Sequence, residues 1–325
     1  MQVAVDLNSV SVPTPGGSAD PTRLGIRTRR SSPVRTMVGL VRAARPKQWL
    51  KNVLVLGAPA AAGVITHPTI LGRSLVAVIV FCLAAGGTYL LNDTIDAEAD
   101  RLHPTKCRRP IAAGTVSVQV GLAAAFVAMT LAVALAALIT LTLAGVMVAY
   151  ITLTISYSLW LKREAVLDIG AIAGGFVLRA VAGGVATGVP LSQWFLIVAS
   201  FGSLFMVVGK RQGEYSRLGD DRGRHRRALT AYSIEYLRYM RSVASSATVV
   251  AYCLWAFDRA KSAGPCQFWF EASIAPFVLG IFRYGILIEA GQAEAPEEAV
   301  LGDRPLQILG LIWACAFGLG VYKIH

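Results

Sequence analysis

A cluster of charged side chains follows one long apolar run of the sequence. Four acids lie within eight residues: Asp93, Asp96, Glu98 and Asp100. Four cations follow within the next nine residues: Arg101, Lys106, Arg108 and Arg109. Carboxylates crowded together repel one another unless a cation lies among them. Oxygen ligands of this kind suit Mg²⁺, which takes a few carboxylates and completes its shell with water and substrate phosphate. The cluster therefore predicts a site for Mg²⁺ and a diphosphate.

The spacing of the acids predicts that most of them share one face of a helix. At 100° per residue, a helix over residues 89–100 gathers five side chains on an arc of about 100°: Tyr89, Asn92, Asp93, Asp96 and Asp100. We predict Asn92, Asp93 and Asp96 as metal ligands, with Asp93 and Asp96 also catalytic. Substrate contacts are predicted for Tyr89, Asp100, Lys106 and Arg109. The alternative is a solvated acidic helix end followed by a solvated basic loop, although the helix dipole disfavours acids at a C-terminus.

A second stretch aligns with the first as a degenerate internal repeat. Lys210-Arg211-x-x-Glu214 follows Asn92-Asp93-x-x-Asp96 after 118 residues, again at the end of an apolar run. Its first two positions are basic, so this copy would bring positive charge directly to an anion. We predict Lys210 as a catalytic and substrate-binding residue. Arg211 and Ser203, which lies seven residues before Lys210, are predicted to bind substrate.

The composition is that of a polytopic membrane protein. Of 325 residues, 55% are hydrophobic and only 15% are charged, whereas soluble domains carry about 25% charged residues. Nine apolar runs approach the roughly 20 residues that span a hydrocarbon core. We expect an all-α bundle with nine transmembrane helices, at about 53–68, 73–91, 117–136, 138–156, 166–188, 192–209, 242–257, 267–287 and 305–322.

The basic residues predict the orientation of this bundle. With nine spans, 26 of the 31 Lys and Arg residues fall on the side of the N-terminus and four on the other. This asymmetry puts the N-terminus and the charged loops in the cytoplasm, and we expect the protein in the plasma membrane. Residues 1–35 read as a disordered basic tail and residues 36–325 as the nine-helix transmembrane domain. The net charge of +12 then faces lipid headgroups and anionic metabolites, and we predict no nucleic-acid partner.

Further cations are candidates for binding an anionic substrate. Arg179 lies inside a predicted span, where a charged side chain is costly and indicates function. Pairing with a buried acid such as Asp168 is the structural alternative. Lys51 and Lys162 complete the predicted substrate-binding set. The five scattered cysteines and four histidines predict neither a disulfide framework nor a zinc site.

At these residues the chain resembles the UbiA superfamily of intramembrane prenyltransferases. The resemblance rests on the motif Asn92-Asp93-x-x-Asp96-x-x-x-Asp100 after the second span. Ordinary members carry a second acidic motif where Lys210, Arg211 and Glu214 stand. That departure, with the stretches "RPKQWLKNVLVL", "LRAVAGGVATGVPLSQWFL" and "RPLQILGLIW", resembles the branch of decaprenyl-phosphate phosphoribosyltransferases.

The resemblance implies a reaction and its partners. The fold would be a UbiA-like bundle with a polar cavity that faces the cytoplasm. The enzyme would be Mg²⁺-dependent and transfer 5-phosphoribose from phosphoribosyl diphosphate (PRPP) to a polyprenyl (decaprenyl) phosphate for arabinan synthesis in the cell wall. A homotrimer is implied by the resemblance alone. The alternatives are a prenyltransferase with a polyprenyl diphosphate donor and a ring acceptor, and a transporter of an anionic metabolite.

The charge asymmetry generates a labelling prediction. A cysteine placed near Leu191 should react with an impermeant thiol reagent in intact cells, because that loop would face outward. A cysteine near Gly219 should react only after the cells are permeabilised. The reverse pattern would overturn the predicted topology.

Overall fold

The computed structural model describes residues 32–218, 227–293 and 296–322. Most of the predicted tail, residues 1–31, and the position of Gly219 lie outside the described residues. Within them every regular element is helical, so the all-α prediction is confirmed for this part of the chain. The α-helices in chain order are α1 (Pro33–Ala43), α2 (Gly57–Ala61), α3 (Pro68–Ile95), α4 (Ala97–Leu102), α5 (Val118–Ile139), α6 (Leu141–Leu159), α7 (Leu167–Thr187), α8 (Gln193–Leu218), α9 (Ile234–Ser262), α10 (Gln267–Ala272), α11 (Ile274–Glu289), α12 (Pro296–Gly302) and α13 (Arg304–Tyr322).

Local sequence explains where several long helices begin. The hydroxyls of Ser117, Thr140 and Ser233 accept hydrogen bonds from backbone N–H groups three residues ahead, which satisfies donors that a helix start leaves open. Pro68 occupies the first position of α3, where its missing N–H costs nothing. A 3₁₀ helix, Pro46–Leu56, connects α1 to α2.

Seven segments of the described chain are long and apolar enough to cross a membrane, so the prediction of nine is wrong by this measure. They are α3, α5, α6, α7, α8, residues 264–289 and α13. The expected span at 53–68 divides between the 3₁₀ helix and α2, which ends at Ala61. The expected span at 242–257 lies in α9, where charged residues at Arg241 and Asp258 bound the apolar run. That run is shorter than the roughly 20 residues a span requires.

Antiparallel packing brings the polar ends of several helices together. The most extensive contacts join α8 to α9 and α3 to α5, and α7 packs against α8. Two contacts join these ends. Lys162, in the connection before α7, approaches Asp96 at the end of α3. Arg211 of α8 bonds Asp168 in the first turn of α7. The charged connections therefore share one end of the fold, below which an apolar cluster of Val80, Phe81, Ala84, Ala132, Met147, Ala182 and their neighbours forms the core.

Close backbone contact fixes α7 against the 3₁₀ helix. A Cβ atom at Gly183 would collide with the backbone carbonyl of Val55. Backbone cannot give way as a flexible side chain can, so only glycine allows this approach. The contact matters for the site because the 3₁₀ helix and α7 carry Asn52 and Arg179, whose side chains bond each other.

We expect Gly183→Ala to destabilise the protein by about 3 kcal/mol, the upper end of the usual cost of overpacking. The measurement is the thermal unfolding of detergent-purified protein. Gly170→Ala is the matched control in the same helix, because its Cβ would meet nothing within 4 Å. Equal melting temperatures for the two variants would contradict the proposed tight contact.

Candidate active site

A cavity of about 670 Å³ opens at the charged end of the bundle. Its walls come from the 3₁₀ helix Pro46–Leu56, α3, α6, α7 and α8 and from the connections between them. Among the described residues, one acid lines it, Asp96, whereas eight cations do: Arg45, Lys51, Lys106, Arg109, Lys162, Arg163, Arg179 and Lys210. A wall with this imbalance suits a ligand that carries several negative charges.

The first motif does not lie on one continuous helix, contrary to the prediction. Helix α3 ends at Ile95 and α4 begins at Ala97, with Asp96 between them at φ −86° and ψ 4°. Asn92 and Asp96 line the cavity, and the Asn92 amide donates to the Asp96 carboxylate at 3.2 Å. Asp93 and Asp100 are 2% and 3% exposed and lie behind the wall. The predicted face thus divides into a cavity-facing pair and a buried pair.

The buried pair holds two arginines that face the cavity. Arg45 and Arg109 both donate to Oδ1 of Asp93, and Arg109 also donates to Asp100 at 2.7 Å. The Arg45 guanidinium lies 4.9 Å from the ring centroid of Tyr89, a cation–π contact. Arg45 has φ 55°, a conformation that is uncommon for a residue other than glycine. Sequence reasoning missed Arg45, because no pattern in the sequence links it to Asp93 across 48 residues.

The remaining predicted cations of the first half line the cavity. Lys162 lies 3.3 Å from Asp96, and the Lys51 amine donates to Gln48. Lys106 begins a short 3₁₀ helix, Lys106–Arg108. Arg163 also lines the wall and was not predicted, although it is adjacent to Lys162. Together with Asn92 and Asp96, these side chains form the outer part of the site.

In the second motif, as in the first, one residue faces the cavity and the next is buried. Lys210 lines the cavity, whereas the side chain of Arg211 is fully buried. Arg211 donates to Asp168 at 2.8 Å and to Glu214 at 2.7 Å. Asp168 therefore pairs with Arg211. The alternative for Arg179, an ion pair with Asp168, is not what the structure shows. We predicted Arg211 as a substrate ligand, but its guanidinium lies outside the cavity.

Tyr232 joins this buried network, whereas Ser203 is buried elsewhere in α8. The hydroxyl of Tyr232 donates to Asp168 at 2.7 Å, and burial raises the pKa of Tyr232, so the phenol stays protonated as a donor. Ser203, predicted to bind substrate, is buried away from the cavity lining and donates to the backbone carbonyl of Ala199. Its role in the structure is a bond within α8.

The residues present fit a Mg²⁺ ion bound largely through substrate. No group of three or more His, Cys, Asp or Glu side chains in the described ranges could hold a metal alone. Asn92 and Asp96 nevertheless offer oxygen atoms to the cavity. Mg²⁺ commonly binds through one or two carboxylates plus phosphate oxygens and water. Asp93, predicted as a third ligand, is occupied by Arg45 and Arg109.

The chain belongs to the UbiA prenyltransferase family, whose model matches residues 53–303. It is 42% identical over 302 residues to the decaprenyl-phosphate phosphoribosyltransferase of Corynebacterium glutamicum, covering 90% of each chain. It is 43% identical to the enzyme of the same name from Mycobacterium tuberculosis strain H37Rv, covering 89% of this chain and 96% of the relative.

Solved structures share the fold. A UbiA homolog from Archaeoglobus fulgidus bound to GPP and Mg²⁺ matches with a TM-score of 0.64 at 19% identity, over 88% of this chain and 99% of that one. A UbiA homolog from Aeropyrum pernix matches with a TM-score of 0.57 at 17% identity, over 84% and 97%. At these identities the likeness concerns the fold alone. It confirms a UbiA-like helical bundle.

The contrast between Lys210 and Arg211 generates a stability prediction. Arg211→Met should destabilise the protein by about 3–5 kcal/mol, because it leaves the buried Asp168 carboxylate without its cation. Lys210→Met removes a neighbouring charge at the cavity wall and is the matched control, with an expected change below about 1 kcal/mol. Thermal unfolding in detergent compares the two. A greater loss for Lys210→Met would reverse the assignment of the two positions.

Proposed function

We propose that this protein is a decaprenyl-phosphate phosphoribosyltransferase. It would transfer 5-phosphoribose from PRPP to a polyprenyl phosphate and release diphosphate. The observation that carries the proposal is the cavity wall, to which the described residues contribute eight cations and one acid, joined to 42–43% identity with enzymes of that name over about 90% of the chain. Two anionic substrates must meet in this reaction, and a strongly basic wall offsets their repulsion.

The chemistry requires charge stabilisation more than proton transfer. An oxygen of the lipid phosphate forms the new bond to ribose C1 while the bond from C1 to the diphosphate oxygen breaks. The leaving diphosphate takes the electron pair, so negative charge grows on its oxygens. The attacking phosphate is already ionised at neutral pH and needs no general base. Fixed cations around the leaving group supply the stabilisation that lowers the barrier.

Individual residues are assigned roles on this basis. Asn92 and Asp96 would hold Mg²⁺, which when bound neutralises charge on the departing diphosphate. Arg109, Lys106 and Lys162 would bind the same phosphates at the outer part of the cavity. Asp93 would orient both Arg45 and Arg109, and Asp100 would orient Arg109, since these carboxylates accept their hydrogen bonds. Lys210 would contact substrate phosphate from the opposite wall.

The membrane setting is part of the proposal. The enzyme would lie in the plasma membrane with its N-terminus and cavity in the cytoplasm, where PRPP is available. The cations that line the cavity and the charged connections at one end of the bundle support this orientation, because basic residues favour the cytoplasmic side. The product would be a lipid-linked phosphoribose suited to arabinan assembly. A homotrimer and a separate N-terminal tail of residues 1–35 remain proposals from the sequence.

A direct comparison of donors tests the function. PRPP with Mg²⁺ should stabilise the detergent-purified protein, by about 2.7 kcal/mol at one hundred times its Kd. It should also support transfer of ribose 5-phosphate to a polyprenyl phosphate. Geranyl diphosphate with Mg²⁺ should do neither. The opposite result would favour the prenyltransferase alternative. That alternative expects acidic residues at the positions where this chain has Lys210 and Arg211.

Two variants test individual site residues in the same assay. Asp96→Asn should abolish turnover while the protein stays folded, and EDTA should do the same for the unmodified protein.

Lys210→Met should lower kcat/KM by roughly 10- to 150-fold, equivalent to about 1.5–3 kcal/mol for one lost charge-assisted bond. Near-native activity of Lys210→Met with PRPP would remove Lys210 from the substrate site.

A further inference from the structure

Arg179 is a buried cation at the inner part of the cavity. It lies near the middle of α7 and is 6% exposed. Its guanidinium is 4.8 Å from the ring centroid of Tyr150 and less than 6 Å from those of Phe81 and Phe176. Among the described cations that line the cavity, Arg179 and Lys210 lie within candidate spans, and three aromatic rings surround Arg179. Such a charge is costly unless function requires it.

The hydrogen-bond partners of Arg179 are all neutral. Nε donates to Oδ1 of Asn52 at 2.8 Å, and Nη1 donates to the backbone carbonyl of Gly175 at 2.7 Å. Nη2 donates to the hydroxyl of Tyr150 at 2.9 Å. No carboxylate pairs with Arg179 in the described part of the chain, whereas the buried Arg211 has two. The structure therefore orients the guanidinium without cancelling its charge.

The arrangement leaves Arg179 able to bind an anion. A guanidinium has five N–H donors, and three of them are used by the contacts above. Two remain, one on each Nη atom, and these can donate to phosphate oxygens in the cavity. Because arginine keeps its charge when buried, a phosphate in the cavity would supply the missing counter-charge.

Arg179 lies deeper in the bundle than the first motif. Phe81, whose ring contacts Arg179, lies eleven residues before Asn92 on α3. Eleven residues advance about 16 Å along a helix axis. Lys51, by contrast, is adjacent to Asn52, which bonds Arg179. We therefore distinguish an outer region of the cavity at Asn92 and Asp96 from an inner region at Arg179.

We propose that Arg179 forms an inner subsite for a phosphate monoester, with Asn52 and Tyr150 as residues that position its guanidinium. The inference rests on the proposed function, which supplies two such groups: the 5-phosphate of PRPP and the phosphate of the polyprenyl acceptor. The diphosphate of the donor would occupy the outer site. The inner subsite would then select for a phosphorylated sugar or for a lipid monophosphate.

The decisive variant is Asn52→Asp. It keeps an oxygen that accepts from Nε of Arg179 but adds a negative charge. That charge would offset the positive charge of Arg179 within the protein. A structural role for Arg179 would be preserved or strengthened by this new ion pair. A role in binding phosphate would be weakened. Arg179→Gln removes the cation itself, and Arg73→Gln is the matched control at an exposed position in the first turns of α3.

The measurement is calorimetric binding of ribose 5-phosphate and of farnesyl phosphate to detergent-purified protein without Mg²⁺. One of these probes should bind, and Asn52→Asp and Arg179→Gln should each weaken its binding at least tenfold. The affected probe identifies the source of the monoester. Arg73→Gln should bind both probes like the unmodified protein, and Asn52→Asp should retain its melting temperature.

Other results overturn the inference. It fails if neither probe binds the unmodified protein, or if Asn52→Asp binds both probes with unchanged affinity. It also fails if Asn52→Asp weakens both probes equally, since that would indicate general collapse of the cavity. These binding measurements need no turnover. A protein that transfers phosphoribose from PRPP but fails here would retain the proposed function and lose only the inner subsite.

Discussion

Two arginine side chains share one carboxylate oxygen in this protein, and the active site depends on that contact. Arg45 and Arg109 approach Oδ1 of Asp93 from separate segments of the chain. Two guanidinium groups this close would repel each other by several kcal/mol in a partly buried setting. The buried Asp93 and Asp100 carboxylates offset that repulsion. They allow a basic wall to form at the edge of the membrane before any substrate is bound.

The same constraint operates in the second half of the molecule with the signs reversed. Asn92 and Lys210 begin the two motifs, and both face the cavity. The next residue of each motif is buried and bonded to opposite charge, Asp93 to arginines and Arg211 to acids. The repeat thus preserves an order of one exposed and one buried polar side chain. What differs is the side chain that the first residue of each motif presents to the cavity, which is neutral at Asn92 and basic at Lys210.

Arg179 departs from this scheme because neutral groups hold it. Its bonds to Asn52, Gly175 and Tyr150 come from three different segments of the chain. The close contact of Gly183 with Val55 keeps two of these segments together. A tight backbone contact, which has no charge of its own, thereby sets the position of a charged group. Packing and electrostatics in this cavity are consequently not separable.

The sequence by itself determined the class of protein, because apolar runs, basic asymmetry and a spaced acidic motif depend only on residue order. Helical periodicity also indicated that Asn92 and Asp96 lie on one face, as they do. The tertiary structure alone decided which acids face inward. The break at Asp96 and the arrival of Arg45 turn Asp93 into a partner for arginines. Periodicity treats a helix as uniform and isolated, so it could not reveal this break, the distant partners of Arg179, or the division of residues 53–68 into two short helices.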